Sequence, residues 1–81
     1  MADIIEEPVS VATALTSKTM VPERVEWRHH IYTCLRCTMH YTTRDGETLL
    51  HVFFMTTKEA CMQLIFNTAT LRWTIQSIEA L

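Results

Sequence analysis

The chain has 81 residues, 48% apolar and 20% charged, enough for one domain and too apolar for wholesale disorder. Its net charge of −2 argues against general affinity for nucleic acid. Three widely spaced cysteines (Cys34, Cys37, Cys61) and an acidic, signal-free amino terminus point to free thiols in a reducing, cytoplasmic setting. The longest apolar run, about seven residues, falls well short of the roughly 20 that a membrane helix needs.

Residues 1–24 begin with acids and continue with small and β-branched residues. Val9, Val11, Thr13 and Leu15 alternate as in a strand, so this segment reads as an N-terminal arm, flexible or an edge strand. Pro22 closes it by holding Val21 extended. The remaining residues, 25–81, read as a single domain of α+β class.

The first strand of that domain is expected from Val25 to Thr43. Trp27, Ile31, Leu35, Cys37, Met39 and Tyr41 share one face, and Arg28, His30, Arg36, His40 and Thr42 share the other. Such a span far exceeds the usual 5–6 residues, so a bulge or break is expected near His29–Thr33. Gly46 is the only glycine, and Asp45-Gly46 suits the two central positions of a type I′ hairpin turn. With that turn, Glu47–Met55 forms the second strand. Tyr41 then opposes Leu50, Met39 opposes Val52 and Cys37 opposes Phe54 on an apolar face, while His40 opposes His51 on the reverse.

Thr56 and Glu59 have the spacing of a capping box, which starts a predicted helix running to about Asn67. Its polar stripe, Glu59-Gln63-Asn67, is narrow, so it must be buried on more than one side. Further on, Leu71, Trp73 and Ile75 alternate as in a third strand, although the alternation fails at Ile78. The expected order is therefore β-β-α-β. A right-handed crossover gives a three-stranded antiparallel sheet of order 2-1-3 with one helix packed on the apolar face.

The most suggestive metal pattern is His30-x3-Cys34-x2-Cys37-x2-His40, a donor set of the kind zinc uses. In one extended strand, however, Cys34 and Cys37 point to opposite faces, and Cys34 and His40 lie roughly 20 Å apart at about 3.3 Å per residue. A zinc protein built on these four residues is thus a minor alternative; the expectation is no metal and no cofactor. No strained elbow, glycine-rich phosphate loop or paired carboxylates is evident, so no catalytic residues are assigned and no enzyme is expected.

The reverse face carries the functional expectation. Arg28, Tyr32, Arg36, His40 and Arg44 from the first strand, His51 and Phe53 from the second, and Arg72 from the third mix arginine, histidine and aromatic side chains. That is the composition of interface centres. The sequence therefore predicts a small, non-enzymatic interaction module of regulatory, inhibitory or adaptor type. Its partner is a larger protein, a second copy of itself as a homodimer, or both. The alternative is single-stranded nucleic acid stacked on the same aromatic and basic face.

Overall fold

Seven antiparallel strands and no helix make up the described residues of the protein, which in this computed structural model are 3–15 and 20–81, with Asp3 and Ile4 described by backbone alone. The strands are β1 (Asp3–Leu15), β2 (Met20–Trp27), β3 (His30–Thr33), β4 (Arg36–Asp45), β5 (Thr48–Thr56), β6 (Ala60–Asn67) and β7 (Arg72–Ala80). Their spatial order is β3-β2-β1-β7-β6-β5-β4. The fold is all-β, so the α+β expectation, with its three-stranded 2-1-3 sheet and covering helix, is overturned.

The largest departure is at the expected helix, which is the central strand β6. Met62, Leu64 and Phe66 alternate with Cys61, Gln63 and Ile65, and β6 pairs with β5 on one side and β7 on the other. Leu64, Ile65 and Phe66 are apolar at consecutive positions, and such a run satisfies helical spacing as well as strand alternation. Thr57 and Glu59 do organise a turn, but it is the hairpin turn between β5 and β6. The Thr57 hydroxyl accepts hydrogen bonds from the backbone N–H of Glu59 (3.2 Å) and of Ala60 (3.0 Å).

β1 belongs to the interior of the sheet. Its first part, through Val9, pairs with β7, and Ser10 onward pairs with β2. One strand thereby carries the chain from one layer to the other. β1, β2 and β3 fold across β4–β7, and β2 runs through the expected boundary at 24/25. The parts of the expected arm at 1–2 and 16–19 lie outside the described residues. Between the layers lie Val25, Phe53, Met55, Met62, Leu64, Trp73 and Ile75, with Ile5, Val9, Val11 and Tyr32 packed against them.

The long first strand is divided into β2, β3 and β4. Arg28 and His29 form the turn after β2, both with positive φ (53° and 62°), so the break falls at the start of the stretch where it was expected. Leu35 then donates its N–H to the Thr56 carbonyl (2.8 Å) and Cys34 to the Glu23 carbonyl (2.8 Å), tying both layers to the β3–β4 corner. In β7, Leu64 opposes Ile75 while Gln63 opposes Ser77, which leaves Gln76 as the extra residue of a bulge. A one-residue insertion reverses the facing of all that follows. Trp73 and Ile75 therefore face the core together with Ile78, and the apparent failure of alternation is explained.

Candidate interaction surface at the β4 edge

The β4–β5 hairpin turns one residue later than expected. Asp45 opposes Thr48, so Gly46 and Glu47 are the central pair. Gly46 has φ 62° and Glu47 is not among the positive-φ residues, which is the II′ pattern with glycine first. The register moves by two residues: His40 opposes Phe53, Tyr41 opposes Val52, and Met39 opposes Phe54. A shift of two preserves which side chains share a face, so from Met39 onward the two compositions of the hairpin survive as read; the bulge between Cys37 and Met39 reverses the start of β4, and Cys37, expected opposite Phe54, opposes Met55 on the other face. Their roles are exchanged.

The mixed face is the inner one. Phe53 has no exposed surface and lies in the core, with its ring 5.3 Å from that of Trp73. It cannot touch a partner in the folded protein. His40 is exposed and lies flat on Phe53, with ring centroids 4.2 Å apart and planes 3° from parallel. His51 is half-buried, and its Nδ1 is 2.9 Å from His40 Nε2. Arg44 is exposed near the turn and donates from Nη1 to the Glu47 carbonyl (3.4 Å).

The other expected contact residues are dispersed. Arg36 is exposed at the start of β4, and Arg72 at the start of β7 opposite Asn67. In the other layer, Tyr32 is half-buried against the core. Arg28 binds the Glu7 carboxylate (2.6 Å) and covers the Trp27 ring at 4.4 Å. The Trp27 indole N–H donates to the same carboxylate (3.1 Å). Both donors favour the charged carboxylate, Arg28 the more strongly, and hold Glu7 below its ordinary carboxylate value. The eight residues therefore do not make one surface. His40, His51 and Phe53 come together, Arg44 continues their face, and the rest lie elsewhere.

The cysteine geometry also differs from a single extended strand. The corner at Cys34 and the bulge between Cys37 and Met39 turn both thiols toward the core. Burial pushes both thiols above the usual cysteine value, and for Cys34 the neighbouring Cys37 adds to the shift. Thiols of that kind are poor nucleophiles. Among the described residues, no three His, Cys, Asp or Glu side chains converge as a metal site, and the set His30, Cys34, Cys37, His40 is not assembled.

What is left open is the apolar face, on the outside of the molecule. Met39 is 55% exposed and Tyr41 43%, and Tyr41 lies beside Phe54 at a ring distance of 6.2 Å. Val52 is buried among these side chains, and Leu50 and Ile65 are half-buried. The stretch expected to cover this face as a helix is a strand within the same sheet, so nothing in the described chain lies over it. The alternation of Met39, Tyr41, Val52 and Phe54 marks this face in the sequence, but it is an outer surface and not the expected core face.

β4 ends the sheet and is hydrogen-bonded on one side only, to β5. Nine of its ten residues are exposed, all but Cys37. An edge this long, without proline or lysine, is a template for another strand.

Comparison of the chain with protein-family models, curated proteins and solved structures gives no match. No helix among the described residues is long and apolar enough to cross a membrane.

His40 makes stability depend on pH. Desolvation, and then the neighbouring His51, lower the pKa of His40 below its ordinary value of 6.5. The unfolded chain therefore takes up this proton before the folded one does. The contribution of neutral His40 is complete above the ordinary histidine value and is lost as pH falls below it. Thermal midpoints at pH 7.5 and pH 5 should show a smaller acid loss for His40→Gln than for the wild type.

Proposed function

We propose that this chain is a non-enzymatic protein-interaction module that pairs through the free edge of β4 with an extended strand, and that a second copy of the chain is the strand that fits. The observation that carries this reading is β4 itself, an exposed ten-residue edge strand bearing Met39 and Tyr41 beside an uncovered apolar face. Strand addition draws affinity from main-chain hydrogen bonds and specificity from alternate side chains. The three free cysteines support a reducing, cytoplasmic setting as part of the same reading.

Two β4 strands related by a two-fold axis normal to the sheet keep their outer faces on the same side. With the axis at Tyr41, the two Tyr41 rings meet, Met39 faces Thr43 of the second copy, and His40 faces Thr42. With the axis at His40, the two imidazoles oppose each other and Tyr41 faces Met39 of the second copy, so Tyr41 lies in the contact in either register. No observation among the described residues favours the nucleic-acid reading, since Phe53 is buried and the arginines are scattered.

Sedimentation equilibrium tests the proposal. A dimer is expected at micromolar concentrations. Tyr41→Lys should dissociate it while changing monomer stability by no more than about 0.5 kcal/mol, as for other surface substitutions. A wild-type chain that stays monomeric up to millimolar concentration overturns self-pairing.

A further inference from the structure

We infer that the facing imidazoles of His40 and His51 form a binding site for a divalent transition-metal ion with right-angled coordination, Ni(II) or Cu(II). The donors are His40 Nε2 and His51 Nδ1, 2.9 Å apart. The ring planes are 20° from parallel and the centroids 5.2 Å apart. The rings therefore lie side by side, with these two nitrogens on their facing edges.

The fold holds the two rings in place. They project from adjacent strands of one antiparallel ladder, His40 opposite Phe53 and His51 opposite Thr42. His40 rests on the buried Phe53 ring, and His51 stands 6.4 Å from Phe66 at 51°. His40 is exposed and His51 half-buried, so water can fill the ion's remaining positions. Among the described residues no third His, Cys, Asp or Glu donor joins them. The site shares only His40 with the four-residue zinc pattern of the sequence.

Donor chemistry selects the class of ion. Imidazole donors suit nickel and copper, and tetragonal geometry is theirs rather than zinc's. The ion sits beside the line joining the nitrogens, and each ring swings to aim its lone pair at it. In the neutral pair one nitrogen donates its proton to the other. On binding, that ring moves the proton to its second nitrogen, so no net proton is released.

Ni(II) is the appropriate probe, because Cu(II) would oxidise the exposed thiol of Cys61. Calorimetric titration of the full chain at pH 7.5 should show one Ni(II) per chain. His40→Gln and His51→Gln, each checked for native circular dichroism, should bind at least tenfold more weakly. His29→Gln, at an exposed histidine elsewhere, should bind as the wild type does, and Zn(II) should bind the wild type more weakly than Ni(II). In the unmodified protein, Ni(II) should selectively broaden the imidazole resonances of His40 and His51, a readout independent of any variant's folding. Ni(II) binding unchanged by both substitutions, or broadening confined to other histidines, overturns the site; Zn(II) binding as tightly as Ni(II) overturns the right-angled assignment.

Discussion

Phe53→Ala is expected to lower the stability of the protein by about 3–5 kcal/mol, the range for truncating a buried phenylalanine. Phe53 is fully buried, its ring is 5.3 Å from Trp73, and His40 stacks on it. Truncation removes the transfer free energy of the ring and leaves a cavity that the paired strands on either side cannot collapse to fill. A domain of this size has only about 5–15 kcal/mol of stability in total, so the variant is expected to lose a large share of it. Phe53→Leu, which keeps more of the volume, should remain folded with a smaller loss. The contrast is with Met39→Ala on the outer face, where 55% of the side chain is already in water and the cost should stay within about 0.5 kcal/mol. Urea unfolding midpoints, compared at constant m-value, measure all three. Equal losses at Phe53 and Met39 would contradict the assignment of inner and outer faces.

That assignment shows how far the sequence could be read. Alternation within 39–55 separates the two faces of the hairpin, and it survives the two-residue difference in register because an even shift leaves facing unchanged; at Cys37 the bulge reverses it. It could not say which face was inner, because that depends on what covers the sheet. The apolar face reads as core only if residues 56–67 form a helix that lies on it. Cys61-Met62-Gln63-Leu64-Ile65-Phe66 meets helical and strand templates alike, and short apolar runs are ambiguous in this way. Propensity gave some warning, since Cys, Ile and Phe are indifferent helix formers. β1 was underrated for a related reason. Val9 and Val11 alternate clearly, but that pattern is the same whether a strand lies at an edge or, as here, between β2 and β7. The outer patch around Met39 and Tyr41 was legible as a pattern, whereas its exposure was not. The His40–His51 contact was expected directly across the strands and occurs diagonally, because long side chains reach over the extra step.

Thr57→Val is expected to cost about 1–3 kcal/mol, the penalty for leaving buried polar groups without partners. Thr57 is the one buried polar residue among those described. Its hydroxyl accepts from the N–H groups of Glu59 and Ala60 and donates to the Ala60 carbonyl (2.9 Å). The Thr57 N–H donates to that same carbonyl (2.8 Å). Valine keeps the shape and volume nearly constant, so the loss isolates the hydroxyl: two N–H donors lose their acceptor at the tip of the β5–β6 hairpin. The effect should be local as well as global. Amide exchange at Glu59 and Ala60 should accelerate well beyond that of Leu64 in the middle of β6, because turn opening becomes easier than sheet opening. Thr57→Ser, which retains the oxygen, should restore most of the loss. A helix capping box would place the corresponding demand on Thr56, whose hydroxyl contacts only the Cys61 sulfur at 3.8 Å. Thr56→Val should therefore be nearly silent, and the ratio of the two losses distinguishes a hairpin turn at 57–60 from the first turn of a helix.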